Sequence, residues 1–226
     1  VRIWEKLRHE IIQDVIDVVG ATHYLEVGTQ TAATFGAIKV DRKVGVDPDP
    51  WAEARAIEIC RKKLRQNSMV FECKSSDQFF NQNSDDLFGG GFDVIFIDGM
   101  HEREQWKRDI KNSLKVLNPG GMIIAHDCNP PDERSQVVPP LCNGEWVGDV
   151  WKGWVDLRQE FNVDMFVVDT DFGVGIINPS IQAEPVSPIN RPISYSMLKD
   201  DRKEMLNLVS IKEYTKWIVG LYGLQP

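Results

Sequence analysis

The segment IFIDGMH, residues 95–101, closes a run of four apolar residues, Val94 to Ile97, on Asp98 and Gly99, with His101 three residues past the acid. A second run, MIIAHD, ends on His126 and Asp127. A carboxylate and an imidazole at the lip of a cleft are the components of general acid–base catalysis. Three more apolar runs end in polar or small residues: HYLEVG on Glu26 to Gly28, KVGVD on Asp47, and MVFECKSSD on Ser75, Ser76 and Asp77. One such ending says little. Five together line one edge of a sheet with carboxylates and hydroxyls, and an open parallel sheet binds its ligands outside the carboxyl ends of its strands.

LEVGTQTAAT, residues 25–34, follows the first of these strands. Gly28 lets the backbone approach a ligand, but the spacing is not GxGxxG, because Gln30 and Ala32 follow it. A nicotinamide dinucleotide brings a pyrophosphate, which Glu26 would face unfavourably, whereas a cationic ligand would welcome that acid. Asp47, roughly twenty residues further on, is placed to accept hydrogen bonds from both hydroxyls of a ribose. A nicotinamide-dependent oxidoreductase is therefore the weaker rival, and a non-catalytic binding protein of the same fold would show a lost acid or base.

The elements that must position these residues follow from patterning. Ile3, Leu7, Ile11, Val15 and Val18 recur at helical spacing over residues 3–19, and Gly20 supplies the stop. WAEARAIEICRKKLRQ and EREQWKRDIKNSLKVL read as helices between strands, the second with Trp106, Ile110, Leu114 and Leu117 on one face and NPGG breaking it. Short apolar runs alternating with helical patterns predict βα units and a parallel sheet buried on both faces. CNPPDERSQVVPPLCNGEW, from Cys128, is a long loop; GDVWKGWVDLRQEF resumes a helix. VDMFVVDTDFGVGIINP predicts two strands joined at Thr170 and Asp171. A Pro-rich stretch and two helices, SMLKDDRKEMLNLV and IKEYTKWIVGLY, complete the chain.

With 26 Lys and Arg against 34 Asp and Glu, the net charge of −8 argues against a binder that works by neutralising nucleic-acid phosphates. No apolar run is long enough for a membrane span. Cys60, Cys73, Cys128 and Cys142 form no CxxC pair, so neither a zinc knuckle nor a disulfide framework is suggested, and the cytoplasm is the expected compartment. A small-molecule partner fits this balance, and a homo-oligomer is compatible with it.

Glu26 with Gly28, VDPDP, SSDQFF, FDVIFIDGMH and LNPGGMIIAHDC resemble the class I S-adenosylmethionine-dependent methyltransferases. The likeness is nearest to macrolide-sugar O-methyltransferases and, more distantly, catechol-type O-methyltransferases, and covers roughly residues 21 to 178. It implies an α/β, Rossmann-like fold: a mostly parallel seven-stranded sheet, helices on both faces and a terminal antiparallel hairpin. The chain is expected to form a single domain, with a core at 21–178, an N-terminal helix at 1–20 and an extension at 179–226. By resemblance, Glu26, Gly28 and the adjoining Thr29 border the methionine part of S-adenosylmethionine, Asp47 the ribose, Ser76 and Asp77 the adenine. Asp98 also faces the cofactor.

In the metal-dependent branch an acid ends strand four and two adjacent ligands end strand five, which maps onto Asp98, His126 and Asp127. Such an oxygen-rich site suits Mg²⁺ or Mn²⁺, and the histidine shifts preference toward Mn²⁺. Asp98 and His101 are the expected catalytic pair, with His101 taking the proton of a sugar or small-molecule hydroxyl. Trp146, Trp151, Trp154 and Phe161 could line an acceptor pocket, but Trp151 and Trp154 have the spacing of a helix's core side. Cys128 reads as a semi-buried thiol.

Overall fold

The computed structural model describes residues 6–61, 69–82, 90–141, 144–184 and 186–223. Ile3, the tail of the predicted third segment beyond residue 61, and Cys142 lie outside them. Strands β1 (His23–Val27), β2 (Arg42–Val46), β3 (Met69–Glu72), β4 (Phe92–Ile97) and β5 (Leu117–Ala125) are parallel to one another. β6 (Val163–Val168) and β7 (Val174–Gln182) form the expected hairpin, with β7 antiparallel to both β5 and β6. An eighth strand, β8 (Leu208–Val209), adds to β6 in parallel. The order is β3-β2-β1-β4-β5-β7-β6-β8, so strand order reverses between β1 and β4.

The strands are buried on both faces, which is why their sequences run apolar without alternation. On one face Leu25, Val27, Ile95, Ile97 and Ile123 join Trp106 and Ile110 of α5 (Arg103–Val116) and Trp151 and Trp154 of α6 (Val150–Glu160). On the other, Tyr24, Val94, Phe96 and Ile124 meet Ile11, Ile12 and Val15 of α1 (Arg8–Val19) and Ile218 of α8 (Ile211–Tyr222). Trp151 and Trp154 are fully buried, so both are core residues, as their spacing implied.

Local chemistry sets the ends. Gly20 closes α1 at φ +64°, donating its N–H to the Ile16 carbonyl, a left-handed position that glycine takes without strain. Ser75 caps α4 (Ser76–Asn81) through a reciprocal box with Gln78, with bonds of 3.2 and 3.1 Å. NPGG does more than stop α5: β5 begins at Leu117, opposite Phe92, and pairing slips before resuming at Val94 with Met122. Asn118 holds this irregular stretch by donating to Asp93 at 2.8 Å.

The C-terminal segment is anchored to the domain by α7 (Tyr195–Leu206) and β8. The Trp154 indole donates to the Leu206 carbonyl at 3.1 Å and the Asn207 amide to the Met165 carbonyl at 2.9 Å. Among the described residues no helix is long and apolar enough to cross a membrane.

Candidate active site

The parallel register brings the strand ends level. Leu25 pairs with Ile95 and Val27 with Ile97, and the ladder continues past them: Asp98 N–H donates to Val27 at 2.8 Å and His126 N–H to Ile97 at 3.0 Å. On the other side of β1, Gly28 N–H donates to Val46 at 2.8 Å. Gly28, Asp47, Asp98 and His126 therefore sit along one edge, with the strand-order reversal in the middle of it.

Gly28 is held at φ +88°, and a Cβ there would lie 2.0 Å from the Asp98 carbonyl oxygen. Only a glycine lets the loop after β1 rest on the backbone of the loop after β4. Beyond it, Asp47 accepts the Gln30 N–H on one oxygen and the Asp49 N–H on the other, both at 2.8 Å. Each oxygen retains a second lone pair. The Thr29 side chain is buried and its hydroxyl has no hydrogen-bond partner.

Glu26 is 1% exposed and accepts a 2.6 Å bond from the Tyr24 hydroxyl. Burial pushes its carboxyl up to about 8, against the Tyr24 hydrogen bond, with the nearby Asp98 adding and Lys43 and the Phe35 N–H opposing. Ser76 and Asp77 open α4, and both lie 3.2 Å from the Gln105 amide nitrogen of α5.

The second half of the site is a cluster of acids and imidazoles. One ligand-capable atom from each of Asp98, His101 and Asp127 lies within 4.8 Å of the others. His101 Nε2 is 3.4 Å from Asp98 and its Nδ1 is 3.1 Å from Asp127. His126 Nδ1 lies 3.3 Å from Asp98 Oδ1 and 3.1 Å from Asp127 Oδ1, while its Nε2 donates to the Asp171 carbonyl at 2.7 Å. The Nδ1 atoms of both rings are buried and out of line for hydrogen bonding, despite these short distances. Asp127 reaches its place through a left-handed backbone, φ +60°.

Burial alone would raise the Asp98 pKa, but the charge of His126, the close approach of the His101 and His126 rings, and Arg8 hold it well below the usual range. Burial likewise opposes protonation of both imidazoles. Asp98 and Asp127 outweigh it at His101, and Asp127, Asp98 and Asp171 do so at His126, so both are raised.

Two participants escaped the sequence reading, and a third was read only as a pocket aromatic. Arg8, the first residue of α1, donates from Nη1 to Asp98 at 3.0 Å and from Nε to Asp171 at 2.9 Å. Asp171 was visible only as a hairpin turn; it is 3% exposed and holds Arg8 on one side and His126 on the other. Trp146 was considered as a pocket aromatic; it stacks on His101 with centroids 5.3 Å apart and donates to the Val137 carbonyl at 2.7 Å. Contacts of Arg8 spanning 90 and 163 positions leave no local signal. Phe161 packs against the core, and Cys128 is fully buried, more than its sequence context suggested.

Residues 25–128 match a family model described as a methyltransferase domain. The uncharacterized protein R132 of Acanthamoeba polyphaga mimivirus is 25% identical over 143 residues, 58% of this chain and 61% of that protein. The match thus spans less than two thirds of this curated relative. An O-methyltransferase from Bacillus cereus, solved in complex with SAH, aligns at a TM-score of 0.59 and 16% identity, over 76% of this chain and 80% of that one. TomG from Streptomyces achromogenes, an O-methyltransferase involved in tomaymycin synthesis and solved with SAM, aligns at 0.59 and 15% identity, over 78% and 80%. At these identities the likeness is one of fold.

Proposed function

Because the chain carries a methyltransferase domain with the class I fold, we propose that it moves the methyl group of S-adenosylmethionine onto a hydroxyl of a sugar or other small molecule. The observation that carries this reading is the meeting of Asp98, His101, His126 and Asp127 against the Gly28 loop, at the reversal of strand order. Glu26, Gly28 and Thr29 border the methionine end. Asp47 has lone pairs left for the ribose hydroxyls, and Ser76 and Asp77 border the adenine.

In the reaction the acceptor oxygen forms a bond to the methyl carbon as the carbon–sulfur bond breaks, its electron pair going to sulfur. His101 takes the hydroxyl proton. Two carboxylates beside it make its ring more basic, and it is the more open imidazole, with a side chain 22% exposed against 3% for His126. Trp146 holds the His101 ring from one face.

The donor set fits a divalent cation, Mg²⁺ or Mn²⁺: two carboxylates and an imidazole nitrogen that is buried and without a hydrogen-bond partner. His126 is the better ligand, because its other nitrogen is fixed by a backbone carbonyl in the way of a ligating imidazole. Asp98, His126 and Asp127 would then hold the ion. When bound, such an ion lowers the pKa of a chelated hydroxyl and fixes its oxygen. Calorimetry with S-adenosylhomocysteine and activity after exhaustive chelation test the two parts separately. Lack of nucleoside binding removes the transferase reading; full turnover with no metal by elemental analysis removes the ion. His101→Ala should lower turnover by about 10²- to 10⁴-fold with S-adenosylhomocysteine affinity nearly unchanged.

A further inference from the structure

The turn that holds His126 is strained, and two separate parts of the chain brace it. Asp171, Phe172 and Gly173 follow one another in the left-handed region, at φ +44°, +61° and +90°, and two of the three carry a Cβ that disfavours it. Such a backbone persists only where its surroundings fix it. Arg8 supplies one brace from α1, on the Asp171 carboxylate. The second is Asn129, two residues beyond Asp127: its N–H donates to the Phe172 carbonyl at 2.8 Å and its side-chain amide to Asp169 Oδ1 at 3.0 Å. Gly173 rests directly on it, since a Cβ there would lie 2.4 Å from the Asn129 Cβ.

Asn129 is held in turn from the C-terminal segment. Arg202, the residue after the break in α7 at Asp201 (φ −124°, ψ 30°), donates from Nη1 to Asn129 Oδ1 and to the Pro130 carbonyl, the latter at 2.8 Å. Its Nη2 donates to the Tyr195 hydroxyl at 3.1 Å, and the guanidinium carbon lies 5.8 Å from the centre of that ring. A planar guanidinium tied at three points fixes the groups it binds. Hydrogen bonds then lead to the imidazole: Arg202 to Asn129, Asn129 to Phe172, and the adjoining Asp171 carbonyl to His126 Nε2 at 2.7 Å. A carbonyl only accepts, so Nε2 carries the hydrogen, and in the neutral ring Nδ1 keeps its lone pair 3.3 Å from Asp98 and 3.1 Å from Asp127.

We propose that Arg202 is a positioning residue for His126: through Asn129 it holds the strained turn in place, and so fixes which ring nitrogen carries the hydrogen and where the other one points. The C-terminal segment thereby becomes part of the site's support, although it contributes no group to the cluster itself. That this matters for methyl transfer rests on the reading of His126 and Asp127 given above. Arg158 of α6 provides the contrast. It ties the same helix to the domain through the Glu204 and Met205 carbonyls, by a route that does not pass through Asn129.

The test is NMR of the full chain labelled with ¹⁵N-histidine, following the His126 Nε2 hydrogen, identified by its loss in His126→Gln. In the wild type this hydrogen, bonded to a carbonyl inside the protein, should give a downfield signal that exchanges slowly with water. Arg202→Ala should speed that exchange about tenfold, the worth of one hydrogen bond from a charged donor. Arg158→Ala should leave it unchanged. An unaltered signal in folded Arg202→Ala overturns the proposal, and so does an equal acceleration in Arg158→Ala, which would mean that any loosening of α7 suffices. If Arg202→Ala does not fold, Asn129→Ala cuts the same link from its other end and is judged by the same signal. Calorimetry with S-adenosylhomocysteine runs alongside: wild-type protein that does not bind it defeats the cofactor reading, while the His126 signal still decides the role of Arg202.

Discussion

Replacing Glu26 with glutamine gives a sharp test of the electrostatics of this buried carboxyl. The amide keeps an oxygen to accept the Tyr24 hydroxyl, now bonded at 2.6 Å, so packing is nearly preserved while ionisation is removed. The wild-type carboxyl sits at about 8 in the folded protein against an ordinary 4.5. Between those values the native state holds a proton that the unfolded chain has released. Raising the pH therefore favours unfolding, and stability present below pH 4.5 is lost as pH rises toward 8. The slope from this single group is about 1.4 kcal/mol per pH unit, or roughly 2.5 kcal/mol between pH 5.5 and 7.5. Urea unfolding followed by tryptophan fluorescence, on both proteins across that range, isolates the effect, because other titrating groups cancel in the difference. Glu26→Gln should gain on the wild type steadily as pH rises. Parallel curves would show that Glu26 is ionised in the folded state, paired with Lys43, and that burial does not dominate.

Gly28→Ala combines a left-handed backbone, worth about 1–2 kcal/mol of strain, with a Cβ pressed into the Asp98 carbonyl; turnover should fall more than unfolding free energy, as parallel activity and urea measurements would show. Arg8→Ala leaves buried Asp171 and Asp98 short of their cation and should lower stability by about 2–4 kcal/mol by urea titration. Arg8→Lys should recover only part of it, since one ammonium cannot span both acids. Trp154→Ala, at a fully buried side chain that also holds the Leu206 carbonyl, should lower unfolding free energy by about 3–5 kcal/mol.

The parallel half of the fold was legible because each strand is a continuous apolar run ending in a polar residue, and the hairpin because two such runs flank Thr170 and Asp171. β8 was not, since two residues carry no period and pair with β6 only because α7 delivers them there. Strand ends told where Asp98, His126 and Asp127 would meet. What they could not tell was burial: strand alternation puts Glu26 on the same face as Tyr24, 1% exposed and bonded to its hydroxyl. Arg8 was illegible for a different reason: it lies on a helix whose apolar spacing accounts for its neighbours, and only tertiary contact gives the charged residue a partner.

The contact between Gly28 and Asp98 makes the loop after β1 and the loop after β4 one mechanical piece. Two main chains touch with no side chain between them, so no rotamer change can alter the gap, and a shift of either loop carries the other with it. Trp146 on the long loop, Arg8 on the first helix and Asp171 on the hairpin turn reach this piece from separate parts of the chain, Asp171 through its backbone carbonyl as well as its carboxylate. In the proposed transferase, the distance from methyl donor to acid is thus a property of the backbone.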